Sequence, residues 1–291
     1  MTRLLVVVVV VGCSSPAVVH PQSASAPLSL AADAQMLAVP TGQYIAGSTP
    51  EERQAAYDDF AASAGKDTAR ERHWFDGEED RHVVAQQPAF HIDLMPVTQG
   101  AYAEFVAAGG APPPAIDEAT WQHQGFAQDY ATQVARFVWK DGAPPAGRAD
   151  HPVVLVTYEE ASRYCAWRGQ QVGTPRRLPT AEEYEKAARG DGGLAYPWGN
   201  AFEADKLDSA VNGPADTMSV GSFIKGASPF GMLDAAGNVF EWTSTPFKPG
   251  QMTVKGSSWE DYAGVGRGAS RHGRAPAIRH AIIGFRCAAD G

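Results

Sequence analysis

The chain has 291 residues, 44% of them hydrophobic and 20% charged. That is enough for one large domain with its own core, or for two small ones. A formal net charge of -9, with no basic run, argues against nucleic acid or an anionic membrane surface as a partner.

The chain opens on a targeting pattern. Arg3 gives a short positive start, Leu4–Val11 is a continuous apolar run, and Gly12 and Cys13 follow. The run is too short to span a bilayer and reads as a secretory signal. Val10-Val11-Gly12-Cys13 resembles a bacterial lipobox, which implies that Cys13 is lipidated and becomes the mature N-terminus. An ordinary cleaved signal is the alternative. The lipobox reading makes residues 1–13 a signal and predicts an exported protein of the cell envelope, in the periplasm or at the cell surface. It would be held to the membrane by its lipid alone. Residues 14–35 are rich in Ser, Ala, Pro and Val with almost no charge, as in a flexible tether. Residues 36–291 are left for the folded domain.

Loose alternation predicts strands at Met36–Val39 and Gln43–Ala46. Thr49, Pro50 and Glu52 form a helix start with a capping box, and a polar helix runs on towards Ala64. His73, His82 and His91 recur every nine residues, whereas a metal site on one helix needs a spacing of about three or four. They are assigned no metal. Phe90–Leu94 reads as a strand. Thr98 then caps a helix whose apolar face is Tyr102, Phe105 and Val106. Ala115–Pro145 carries Trp121, Phe126, Tyr130, Phe137 and Trp139 without clear periodicity, and is expected to be a long loop lining a cleft. Pro152–Val156 reads as a short buried strand. Thr157 with Glu160, and Thr180 with Glu183, are two further capping boxes. The first opens a helix carrying Ala161, Tyr164 and Cys165 on its apolar face. The second opens Ala181–Arg189, ended by Gly190. These glutamates are cap residues before they are candidate acids.

Ser228–Trp242, SPFGMLDAAGNVFEW, has no single period. Gly231 and Gly237 interrupt a helix, and apolar and polar residues do not alternate as in a strand. A tight turn between buried anchors is expected, with Asp234 and Glu241 bracketing it and backbone carbonyls pointing inward. Hard cations such as calcium take that mixture of carboxylate and carbonyl oxygen. The alternative is that Asp234 and Asn238 only hydrogen-bond their own turn.

This stretch resembles a signature of the formylglycine-generating enzyme family, also called the sulfatase-modifying factor domain. Met95–Val106, His151–Gly169, Arg177–Asn200, Lys255–Trp259 and Gly284–Ala288 resemble the family's other motifs, in the family's order. The resemblance implies an irregular, loop-rich α+β fold related to C-type lectins, with a short antiparallel sheet. It implies structural calcium on Asp234, the carbonyls of Gly237 and Val239, and Glu241, with a second site beginning at Asp208 and Ser209. It also supports a disulfide between Cys165 and Cys287, against the alternative of two buried free thiols.

At the chemistry itself the chain departs from the family. Formylglycine-generating enzymes oxidise a substrate cysteine with a pair of their own cysteines that bind copper(I), and a soft thiolate pair is what that ion needs. The pair should fall between Trp259 and Arg271, but the chain's three cysteines are Cys13, Cys165 and Cys287. No copper is therefore expected. Trp259, Glu260, Asp261, Arg271 and His272 stand in the region that lines the family's cleft, with Tyr262, Arg267 and Arg274 nearby. They could bind a charged ligand or move protons. The expectation is a calcium-containing binding or accessory lipoprotein taking a protein, peptide or glycan in its cleft. The alternative is an oxidoreductase of the wider family, which includes iron-dependent sulfoxide synthases and a siderophore-maturation protein. Iron stays open, although the three histidines of the iron-binding relatives come largely from an additional helical domain.

Overall fold

The computed structural model describes residues 35–291. The predicted signal, Cys13 and all but the last residue of the tether lie outside them. Strands β1 (Met36–Val39) and β2 (Gly42–Ala46) come first. Helix α1 (Pro50–Ala64) follows, closed by Thr49 and Glu52 in a reciprocal capping box and ended by Gly65 in the left-handed conformation. After a one-turn helix, α2 (Thr68–Glu71), come β3 (His82–Gln87) and β4 (Phe90–Asp93). Helix α3 (Gln99–Ala107) starts on Thr98, whose hydroxyl accepts from the amide of Ala101.

The aromatic stretch after α3 is irregular, as its lack of period predicts. It holds one short helix, α4 (Glu118–His123), a π turn at Tyr130–Val134 and a 3-10 turn at Ala135–Phe137. Trp121 is buried, and its indole donates to the carbonyl of Gln128 at 2.9 Å. Helices α5 (Tyr158–Val172) and α6 (Ala181–Arg189) both begin on the predicted capping boxes. The chain then makes turns until β5 (Phe240–Lys248) and β6 (Gln251–Lys255). The short strands β7 (His272–Arg274), β8 (Ile283–Gly284) and β9 (Ala288–Asp290) close the fold.

The strands form three small sheets. β4 lies between β1 and β9, antiparallel to both, with Met36 opposite Asp93 and His91 opposite Ala289. β2 pairs with β3. The third sheet runs β7-β6-β5-β8 and includes one parallel pair, β5 with β8. Pro152–Val156 is not a strand. Val153 and Leu155 are fully buried, but Leu155 has φ 61°, which breaks an extended run. Their amides bond singly to the carbonyls of Val97 and His280 instead.

An aromatic cluster fills the main core. Tyr102 stacks on Tyr164 at 5.5 Å, and Phe285 meets the edge of Tyr164 at 5.3 Å. The Cys165–Cys287 disulfide crosses this core from α5 to the residue just before β9. Among the described residues no helix is long and apolar enough to cross a membrane.

Candidate functional site

Ser228–Trp242 folds as a turn feeding β5. Asp234 (φ 49°) and Asn238 (φ 62°) hold left-handed backbone that Asp and Asn tolerate. Gly237 (φ 82°) is a glycine for a further reason: a Cβ there would lie 2.4 Å from the carbonyl oxygen of Asp208. The turn is laced to residues 208–221. Asn238 donates its backbone N–H to the carbonyl of Asp208, and its amide side chain exchanges two hydrogen bonds with Met218. Oδ2 of Asp234 accepts from the amide of Gly221 at 2.7 Å. Burial raises Asp234 to about 6.

Glu241 is fully buried, and both its oxygens are engaged. Arg286 donates from Nε to Oε2 and from Nη2 to Oε1, each at 2.7 Å. The Tyr184 hydroxyl lies 3.2 Å from Oε1 and 3.3 Å from the carbonyl of Ala235. A Cβ on Gly256 would stand 3.7 Å from the carbonyl oxygens of both Ala235 and Val239, so several oxygens converge at this point. Two stretches read separately in the sequence, GNVFEW and GFRC, thus meet through a bidentate ion pair.

Asp208 is in the opposite condition. Both its carboxylate oxygens are buried and have no hydrogen-bond partner among the described residues. Burial, and then the charges of Asp234 and Asp216, raise it to about 8. A buried carboxylate in that state is costly unless it is protonated or meets a cation. A proton or a hard cation would relieve it. Gly213 leaves room beside it, since a Cβ there would lie 2.2 Å from Oδ1. The Ser209 hydroxyl donates to Asn212, and the Ser209 carbonyl accepts from Gly213. Asp216 turns away to Arg148 and Arg136.

The cleft is a separate cavity of 680 Å³. Residues 260–274 supply Glu260, Asp261, His272 and Arg274, and β5 supplies Phe240. The aromatic stretch supplies Phe126 and Gln128, as its composition predicts. Lys66, Arg72 and Trp74 come from the segment after α1, and His280 from the segment before β8. Sequence reasoning did not assign these last four to the cleft, because no local pattern connects them to Glu260.

The acids of the cleft are partnered. Oε1 of Glu260 accepts from Gln128 at 2.6 Å. Oδ2 of Asp261 accepts from the amide and the hydroxyl of Ser258, at 2.8 and 2.6 Å. Burial, and then the charge of Asp261, raise Glu260 to about 7; burial raises Asp261 to about 6. Burial, and then Arg274, push His272 and His280 down to about 3, so both imidazoles are neutral at pH 7. Aromatic rings hold them. His272 sits 5.4 Å from Phe240 and 6.4 Å from Trp74, and His280 sits 4.2 Å from Phe126.

Two expected members stand apart from the cleft lining. Trp259 is buried against Phe137, with the Arg136 guanidinium 5.2 Å from its ring. Arg271 pairs with Glu79 and covers the ring of Phe247. Both cysteines of the described region are consumed in the disulfide, so no free thiol from it reaches the cleft. Among the described residues no three His, Cys, Asp or Glu side chains converge to hold a metal ion. Iron therefore does not fit His272, His280 and Asp261 as they are placed.

Known proteins share this architecture. The chain is 31% identical over 262 residues to inactive C-alpha-formylglycine-generating enzyme 2 of Mus musculus, covering 74% of this chain and 79% of that one. It is 35% identical over 198 residues to hercynine oxygenase of Mycobacterium tuberculosis, but spans only 44% of that protein and 64% of itself. The structure of PvdO from Pseudomonas aeruginosa superposes with a TM-score of 0.65 over 88% of this chain and 94% of that one. At 22% identity, that likeness shows the fold alone. The profile of the sulfatase-modifying factor enzyme 1-like domain matches residues 23–291, and with the motifs, the disulfide and the fold in place, the chain belongs to that family.

Proposed function

We propose that this chain is an exported, lipid-anchored protein whose sulfatase-modifying-factor domain binds a protein, peptide or glycan in its cleft and does not make formylglycine. The observation that carries the reading is the absence of a free thiol among the described residues that line the cleft. Copper(I) chemistry needs soft thiolate ligands, and Cys165 and Cys287 are bonded to each other. What lines the cavity instead is charge, neutral imidazole and aromatic surface, the composition of a recognition site. Lipidation of Cys13 and a tether over 14–35 would keep that cleft near a membrane surface. Calcium, the structural ion of this reading, is supported by the unpartnered carboxylate of Asp208.

The test is metal content and turnover of the full chain in detergent. Calcium at about one or two per chain, and no aldehyde from a cysteine-containing peptide supplied with copper(I) and oxygen, is the expected result. Aldehyde formation, or stoichiometric copper or iron in the purified protein, would overturn it. A second reading is an oxidoreductase of the wider family acting on a protein, peptide or siderophore. Its support is the likeness to hercynine oxygenase of Mycobacterium tuberculosis; His272, His280 and Asp261 face one cavity but do not converge as a metal site among the described residues. Iron(II) titration would sustain it only if one equivalent binds and the His272→Ala variant loses it.

A further inference from the structure

The charges of the cleft are unequally committed. Glu260 and Asp261 have hydrogen-bond donors from the protein, on Gln128 and Ser258. Among the described residues Arg274 forms no ion pair, although the charges of Asp261 and Glu260 stand close enough to favour its own. Its Nη1 donates to the neighbouring carbonyl of Gly273, and its Nε is buried with no acceptor. Lys66 and Arg72, exposed at the mouth, likewise form no ion pair among the described residues. Other arginines of this fold are neutralised: Arg286 by Glu241, Arg267 by Glu78, Arg279 by Glu160. A partly buried guanidinium with no carboxylate in hydrogen-bond contact is incompletely compensated. One kept beside a cavity is available for an anion from outside.

We propose that Arg274 anchors the carboxylate of a ligand whose apolar body lies against Trp74, Phe126 and Phe240, with Arg72 and Lys66 drawing it in. This deepens the binding reading above and rests on it. The guanidinium fork matches a carboxylate in two hydrogen bonds. A monoanion suits the site better than a phosphate or sulfate ester, because Glu260 and Asp261 line the same cavity and repel added negative charge. The volume of 680 Å³ admits a small aromatic acid, or one acidic residue of a peptide with its apolar neighbour.

The experiment is calorimetric titration of the full chain in detergent micelles. The probes are 3-phenylpropionate, its amide, phenyl phosphate and the peptide acetyl-Phe-Glu-amide. The acid should bind about tenfold or more tightly than the amide, the worth of one charged hydrogen-bonded pair. Arg274→Met should abolish that difference while leaving the far-UV spectrum and the melting temperature in place. Arg72→Gln lies at the exposed mouth, where folding is not at risk, and should weaken acid binding about threefold at low salt. Tighter binding of the peptide would place the carboxylate on a polypeptide; tighter binding of the free acid would place it on a small molecule. Both results support the anchor. Equal affinity for acid and amide would overturn the anchor and leave the binding reading standing. Preference for the phosphate would overturn the carboxylate class. No binding of any probe would overturn the proposal, and failure of protein, peptide and glycan ligands as well would remove the binding reading with it.

Discussion

Behind the Ser228–Trp242 turn, Arg286 spends its guanidinium on Glu241 and on the backbone carbonyls of Asp93 and Leu233. In the cleft, Arg274 donates to one neighbouring carbonyl and leaves Nε without a partner. Both are arginines on the C-terminal segment; Arg286 is fully buried, and Arg274 is partly buried with its Nε withdrawn from water. The first closes a network that pins a turn, the end of a strand and the start of a helix to one another. The second is held ready beside a cavity. Buried charge by itself therefore does not mark a site in this fold; what sets Arg274 apart is its place beside the cavity as well as its unpartnered Nε.

The hub should be the more sensitive of the two to mutation. Arg286→Met leaves Glu241 buried and unpaired, and is expected to cost about 3–5 kcal/mol, read as a lower urea midpoint. A cost below about 1 kcal/mol would break the contrast with the cleft. Removing the disulfide with Cys165→Ser and Cys287→Ser together should cost about 2–4 kcal/mol by the same measurement. That bridge crosses the core beside the hub, and the cleft contains nothing equivalent.

The cleft should speak through pH. Glu260, raised to about 7, binds its proton more tightly folded than unfolded, so its contribution is full below about pH 4.5 and is lost as pH rises through 7. His272 and His280, lowered to about 3, work in the opposite sense: their contribution is full above about pH 6.5 and is lost as pH falls towards 3. From pH 6.5 to 8 the histidines are silent. Glu260→Gln should therefore make the fall in unfolding free energy over that window shallower, the remainder coming from Asp208, raised to about 8, and Asp93, raised to about 7, measured by urea titration at several pH values. An unchanged slope would mean that Glu260 is not held in the raised state. The smallest effect is expected at Arg274. Its replacement by Met should change stability by less than about 1 kcal/mol, because the residue loses only one hydrogen bond to a neighbouring carbonyl and no contact ion pair. A large loss in the thermal melt would make Arg274 a second hub residue and erase the distinction.

Much of this frame was legible in the chain. The capping boxes at Thr49, Thr157 and Thr180 are local hydrogen-bond patterns, and local patterns are what a sequence displays. The turn at Gly237 was legible for the same reason. Pro152–Val156 misled because apolar character reports burial, while the positive φ of Leu155 is imposed by neighbours far away in sequence. The cleft was half legible. Glu260, Asp261 and His272 lie in one segment whose position the motifs fix. Lys66, Arg72 and His280 reach the same cavity from segments about 200 residues away or across a turn, and only folding brings them there. Trp259 and Arg271 lie in the right segment but turn to Phe137 and to Glu79. Membership of a segment does not say which way a side chain points. The Glu241–Arg286 pair escaped notice because each half was already accounted for within its own motif.

The sheet that places β4 between β1 and β9 also sets an order of events. Its middle strand is flanked by a strand formed almost at the start of the domain and by one formed from Ala288–Asp290. Cys287, which closes the bridge to Cys165, stands immediately before that last strand. A chain emerging from a ribosome or a membrane pore can build its helices early, but one edge of β4 stays open and one thiol stays unpaired until residues 287–290 are free. A lesion that removes only those residues would take away both the β4–β9 pairing and the bridge, and would be felt across the whole sheet.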